Sequence, residues 1–237
     1  MIEGSYSWST QSHAGFDTTV VLVDTDEGLT GVGECCPLGP TYLPAYAHGV
    51  RAGIAQLGPH LIDEDPTQLD RINSLMDAQL KGHPYVKSAI DMACWDILGK
   101  VTGLPVYVLL GGKLQEKVTL YKVVSRADPN AMAERIPEYR NQGFRQFQVK
   151  VGEDPSTDII RIHRVAEEMK AGEVLNADAN TGWKQHEALQ VAHAIADIGR
   201  QTGIRLTFEQ PCLSYHECLA VRQHTNLPFV LDECMDS

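Results

Sequence analysis

The chain has 237 residues, 43% of them hydrophobic, and carries 31 acidic against 20 basic side chains for a formal net charge of −11. That length and apolar content suffice for one large core or two moderate ones and argue against a disordered chain. The acidic balance argues against binding a phosphate backbone, which needs a basic footprint.

In chain order, Met1–Thr10 has neither the basic flank nor the apolar stretch of a secretory leader. From Asp17 to Glu34 the sequence alternates Thr and Val, turns at Asp26-Glu27-Gly28 and resumes at Leu29, which predicts a β-hairpin or meander. Three helical stretches follow. The first spans Ala47 to Leu57. The second begins near Pro66 and carries Leu69, Ile72, Leu75, Met76 and Leu80 on one face. The third runs from Tyr85 to Lys100 with a wide apolar stripe of Val86, Ala89, Ile90, Ala93, Cys94 and Leu98. Strands followed by helices imply an α+β unit over residues 1–117.

From Val118 the rhythm becomes strict strand–helix alternation. Predicted strands are Thr119–Val124, Phe144–Val151, Val174–Ala177, Ile204–Glu209 and Phe229–Asp232. Predicted helices are Asn130–Asn141, Pro155–Lys170, Lys184–Ile198 and Ser214–His224. This pattern gives 118–237 a parallel sheet of the α/β class, either doubly wound or part of a (β/α)8 barrel. No Gly-rich phosphate fingerprint opens any of the helices, which disfavours a dinucleotide fold. No apolar run approaches the roughly 20 residues of a bilayer span. Six cysteines, at 35, 36, 94, 212, 218 and 234, show no C-x-x-C spacing or zinc-finger histidines. They read as reduced thiols of a cytoplasmic protein.

The polar residues at the predicted strand ends carry the chemistry. The second strand ends Gln148-Val149-Lys150, the third Asp178-Ala179-Asn180, the fourth Glu209-Gln210 and the fifth Asp232-Glu233. In a barrel, such ends converge on one mouth. Three carboxylates without His or Cys suit a hard, oxygen-ligated cation such as Mg²⁺. Any one of these acids could equally cap a helix or pair with a surface arginine; three on successive strand ends, with a lysine on the strand before, favour a site. Beside a divalent cation the Lys150 pKa is expected to fall from about 10.4. Lys150 then becomes a general base for the proton α to a carboxylate.

This constellation resembles the enolase superfamily, in the branch of mandelate-racemase-like and muconate-lactonising enzymes. Asp178, Glu209 and Asp232 match its three Mg²⁺ ligands, and Lys150 matches the second lysine of its K-x-K signature. Lys87-Ser-Ala-Ile-Asp-Met-Ala-Cys-Trp-Asp-Ile-Leu-Gly99 resembles a helix of the N-terminal capping domain, and Leu109-Leu-Gly-Gly112 the linker into the barrel. The resemblance implies an enolase-like fold, with the capping domain before a (β/α)8 barrel of which strands one to five are present. It also implies a homo-oligomer and a small amino-acid or carboxylate substrate, with neither nucleic acid nor membrane as partner.

Gln148 stands where the muconate-lactonising group usually has its first lysine. Together with Cys36-Pro-Leu-Gly-Pro-Thr-Tyr42, Gly82-His-Pro-Tyr85 and Glu209-Gln-Pro-Cys212, it resembles the branch acting on proline derivatives. That branch includes cis-3-hydroxy-L-proline dehydratases and hydroxyproline betaine 2-epimerases, and the loop segments look closer to the dehydratases. Tyr42, Gln148 and Asn180 are the expected substrate contacts, and the loop from Ser7 to Phe16 is expected to shape specificity. The family's later barrel strands, with a second lysine on strand six, and the first strand of its capping domain are not in this sequence. The chain therefore reads as truncated at both ends. Two other readings follow: a 2-epimerase or racemase of an amino-acid derivative, and a non-catalytic metal-binding or structural barrel fragment.

Overall fold

The structure, a computed structural model, describes residues 5–9 and 11–235. Readings of the sequence that fall on 1–4, 10, 236 and 237 lie outside that part. Two compact units result, Phe16–Val118 and, together, Met1–Gly15 and Thr119–Ser237.

The chain opens with a short antiparallel hairpin, β1 (Tyr6–Trp8) and β2 (Gln11–His13), paired from Tyr6↔His13 to Trp8↔Gln11. The loop expected over Ser7–Phe16 is thus partly a hairpin. It groups with the parallel sheet through backbone bonds: Ser9 N–H donates to Val151 O (3.1 Å) and Arg126 N–H to Ser7 O (2.9 Å).

In the first full unit, β3 (Thr19–Asp24) and β4 (Thr30–Cys35) form the predicted hairpin, in register from Thr19↔Cys35 to Asp24↔Thr30. Its turn closes through Gly28 at φ +77°, a conformation glycine adopts without steric cost. Helices α1 (Ala47–Leu57), α2 (Leu69–Gln79), α3 (Pro84–Thr102) and α4 (Val106–Leu109) follow. The second helix starts three residues beyond Pro66, because Asp65 and Thr67 form a local side-chain turn instead. Val21, Leu57, Ile72, Met76, Val86, Ala89, Ile90 and Cys94 make this unit's core. β4 lies hard against α3: a Cβ added to Gly33 would sit 1.8 Å from Ala89 O.

In the second unit, strands β5 (Lys122–Val124), β6 (Gln146–Lys150), β7 (Val174–Asp178), β8 (Arg205–Glu209) and β9 (Phe229–Val230) form one parallel sheet in sequence order. Between them run α5 (Pro129–Asn141), α6 (Pro155–Glu168), α7 (Gln185–Ile195), the short α8 (Ile198–Thr202) and α9 (Tyr215–Arg222). The helix starts are written locally. Asp128, Asp154 and Ser214 each accept a backbone N–H of the first turn, and Pro129 and Pro155 supply the fixed φ at the first helical position. Three predicted elements are corrected. The strand expected over 119–124 is only Lys122–Val124, the helix expected over 184–198 breaks after Ile195, and the last strand ends at Val230, leaving Asp232 beyond it.

The sheet sorts its residues by parity, since successive strand residues face opposite sides. Phe147, Val149, Leu175, Ala177, Leu206 and Phe208 are buried in the main core with Met132, Ile136, Ile162, Val165, Val191, Ile195 and Val221 of the helices. Gln148, Lys150, Asn176, Asp178, Thr207 and Glu209 therefore share the other face. Near the opposite ends of these strands, Arg140 of α5 grips Glu173 with two bonds (2.7 and 2.8 Å) and also donates to Glu168 O (2.7 Å). Burial opposes ionisation of Glu173, yet the Arg140 guanidinium and the Lys170 N–H outweigh it and hold its carboxyl below the usual 4.5.

A depressed acid contributes stability that is present above its unfolded pKa and lost as pH falls through the folded value. Glu173→Gln leaves the Arg140 guanidinium buried without its counter-charge, at a cost of about 3 kcal/mol at neutral pH. The loss should shrink as the pH drops below about 4.5, as measured by urea denaturation at a series of pH values.

Candidate active site

The register of the sheet brings the predicted residues into one row. Lys150 pairs with Asp178 across β6 and β7, and Asp178 with Glu209 across β7 and β8. All three side chains share a face by parity and all are buried. The Lys150 ammonium donates to Asp178 Oδ2 at 2.5 Å and lies 5.8 Å from the Tyr6 ring centroid. Burial presses this ammonium toward neutrality. The charges and hydrogen bonds of Asp178 and Tyr6 overcome that and push its pKa up to about 12. The sequence expectation of a lowered Lys150 pKa assumed a neighbouring cation. With protein groups alone the ion pair wins and the shift is upward.

Glu209 accepts from Gln148 Nε2 (2.8 Å) and from Asn176 Nδ2. Burial raises its pKa, the charge of Asp178 raises it further, and the two amides partly offset both. Thr207 Oγ1 donates to Asn176 Oδ1 (2.8 Å), which aims the Asn176 amide at the carboxylate. Gln148, expected as a substrate contact, thus has its amide on a predicted metal ligand.

Asp232 is exposed, and its N–H donates to Gln210 Oε1 (2.8 Å). Gln210 is wholly buried and also donates to Cys212 O (2.9 Å), so it ties the β8 exit to the segment carrying Asp232. Asn180 donates from its backbone to Asp178 Oδ1 and from Nδ2 to Glu233 Oε1, both at 2.9 Å. Burial is the main cause that pushes the Glu233 carboxyl up to about 7. Among the described residues, Asn180 Oδ1 and Glu233 Oε2 are buried without a hydrogen-bond partner. Asn180, Thr181 and Gln210 adopt positive φ (43°, 65° and 32°), a conformation uncommon for non-glycine residues and concentrated here at the β7 and β8 exits. Tyr42 belongs to the other unit, half-buried in the turn after Gly39, where its N–H bonds Gly39 O (3.1 Å).

This donor set fits a hard divalent cation: oxygen ligands only, two of them buried side by side, with an unpartnered carboxylate oxygen on Glu233 close by. Buried like charges raise one another's pKa unless a cation intervenes. Among the described residues, no three His, Cys, Asp or Glu side chains are drawn together tightly enough to enclose an ion. The Asp178 oxygen is instead engaged by Lys150.

Sequence reasoning named Lys150, Asp178 and Glu209 from the strand ends, and the fold sets them side by side. It did not assign Asn176 or Gln210, although Asn176 lies two residues before Asp178 and shares its face. Tyr6 carried no sequence signal, because its place beside Lys150 depends on a hairpin more than a hundred residues away.

Two families match the chain. Residues 6–111 match the mandelate racemase / muconate lactonizing enzyme N-terminal domain, and residues 131–237 the enolase C-terminal domain-like family. The chain belongs to this family of the enolase superfamily, with a capping domain followed by a barrel-like parallel α/β domain. Among relatives, it is 51% identical over 235 residues to the cis-3-hydroxy-L-proline dehydratase of Roseibium aggregatum, covering 99% of this chain and 62% of that protein. It is also similar to a mandelate racemase/muconate lactonizing enzyme crystal structure from Roseovarius nubinhibens, with TM-score 0.91 and 40% identity over 98% of this chain and 61% of that one. Another structure from that organism, complexed with magnesium, gives TM-score 0.86 and 35% identity over 97% of this chain and 62% of that one. The chain therefore spans about three fifths of the length of these relatives. No helix among the described residues is long and apolar enough to cross a membrane.

Gln148→Leu should leave the buried Glu209 carboxylate one donor short. The expected cost is about 1–3 kcal/mol in chelator-treated protein, read from the urea midpoint at unchanged m-value.

Proposed function

We propose that the intact protein removes the proton α to a carboxylate with Lys150 as base, and that its substrate is cis-3-hydroxy-L-proline. The observation that carries the reaction class is the buried row Lys150–Asp178–Glu209 on one face of adjacent strands. The substrate is supported by the 51% identity to a dehydratase of that compound. Asp178, Glu209 and Asp232 would hold Mg²⁺, which supplies positive charge against the substrate carboxylate and against the Lys150 ammonium, so that the amine stands neutral.

Neutral Lys150 accepts the α-proton at Nζ. The electron pair left on Cα delocalises into the carboxylate, then forms the Cα–C3 double bond as the 3-hydroxyl departs as hydroxide. The proton taken up by Lys150 returns through solvent and converts that hydroxide to water. The enamine so formed tautomerises to a pyrroline carboxylate. Gln148 and Asn176 keep the Glu209 carboxylate aimed, and the Asn180 N–H does the same for Asp178. Tyr42 and the 7–16 segment are assigned to substrate selection, on the family resemblance alone.

Lys150→Ala in the intact protein should abolish dehydration, and chelation should do the same reversibly. Full activity in Lys150→Ala would refute the base assignment. Deuterium entering the α-carbon from solvent with the hydroxyl retained would move the reading to a 2-epimerase.

Mg²⁺ at a hundred times its Kd should stabilise the native protein by about 2.7 kcal/mol through mass action. Glu209→Gln should remove that gain. The same variant relieves buried like-charge repulsion, so without metal it should melt no lower than native. A melting-temperature rise with Mg²⁺ that survives Glu209→Gln would place the cation elsewhere.

A further inference from the structure

The exits of β6 and β7, which carry Lys150 and Asp178, are held together from behind by a single buried carboxylate. Asp158, in the first turn of α6, is wholly inaccessible to solvent. Its Oδ2 accepts the backbone N–H of Gly152 (3.0 Å), that of Glu153 (2.7 Å) and the indole N–H of Trp183 (3.3 Å). Its Oδ1 accepts from Arg161 (2.7 Å). Gly152 is two residues past Lys150, and Trp183 is five past Asp178. Arg161 also donates to Ala127 O just beyond β5 (2.9 Å) and to Glu153 Oε2 (3.1 Å), which Arg126 grips as well (2.7 Å).

The two exits also meet backbone to backbone. A Cβ on Gly152 would fall 2.1 Å from Ala179 O, and one on Gly182 would fall 2.1 Å from Gly152 O. Gly152 sits at φ +97°, where only glycine is at ease. Ser9 Oγ closes the arrangement by donating to Gly152 O (3.0 Å). Among the described residues, no other side chain in this group accepts from both exits at once.

We propose that Asp158 is a positioning residue: it locks the β6 exit to the β7 exit and so fixes where the Lys150 amine stands relative to the Asp178 carboxylate. It touches no reacting atom and acts through backbone. This rests on the assignment of Lys150 and Asp178 to the reacting centre. The charge matters as well as the shape. An amide in its place can present an acceptor to the two loop N–H groups only by turning its own donor toward Arg161.

Asp158→Asn, in the intact protein with Mg²⁺, should lower kcat for dehydration roughly 10–100-fold, the range typical of groups that orient ligands from behind. KM should stay within about threefold. Amide hydrogen exchange should quicken about tenfold or more at 152–154 and at 179–183 together, while the slowest core amides keep their rates. Trp183→Phe keeps an aromatic ring in place of the indole and loses one donor, so kcat should fall less and faster exchange should be confined to 179–183. An unchanged kcat in folded Asp158→Asn overturns the proposal, as does loosening of 152–154 without 179–183. If Asp158→Asn does not fold, Trp183→Phe decides, and an unchanged kcat there overturns it. A wild-type protein that fails to turn over cis-3-hydroxy-L-proline sinks the substrate assignment instead. The exchange pattern still tests the lock in that case.

Discussion

Everything at the candidate site depends on the pleat of one parallel sheet. Side chains on a strand alternate between faces, so parity decides what is core and what is site. On β6, β7 and β8 one parity supplies Phe147, Val149, Leu175, Ala177, Leu206 and Phe208, which seal against the helices. The other supplies Gln148, Lys150, Asn176, Asp178, Thr207 and Glu209. A one-residue slip of any strand would put a lysine or carboxylate into the apolar layer, at several kcal/mol for an unpaired buried charge. The apolar layer therefore fixes the register, and the register fixes the site.

Within that row, charges are balanced locally. Lys150 and Asp178 answer one another, two amides hold Glu209, and Asn180 donates to both Asp178 and Glu233. What the protein groups do not supply is positive charge equal to the acids gathered there. Glu209 and Glu233 stand above their ordinary pKa for that reason as well as for burial. The same surplus of carboxylate oxygen makes the row suited to a hard cation. Holding an unbalanced cluster in place requires a firm backbone, and the strand exits provide it through Asp158, the close-packed Gly152 and Gly182, and the Gln210 side chain.

Much of this was legible in the amino-acid sequence because it is local. Hydrophobic periodicity marked α2 and α3, strand–helix alternation marked the parallel sheet, and acids at the ends of apolar runs marked the candidate site. Local signals failed where length or breaks were set by neighbours. Thr119–Val124 reads as one strand, yet only Lys122–Val124 finds a partner, on β6. The 184–198 stretch is helical in pattern but breaks after Ile195, and Phe229–Asp232 pairs with β8 only over its first two residues.

The sequence by itself thus determined the class of fold and singled out Lys150, Asp178 and Glu209 as candidates, since strand ends and residue chemistry are written in short windows. Tertiary structure alone decided that Lys150 meets Asp178 directly, that Gln148 serves Glu209, and that Tyr6 stands beside the lysine. It also decided that the buried Asp158 joins two exits far apart in sequence. These contacts arise between segments brought together by sheet register and helix packing, and no local pattern carries that information.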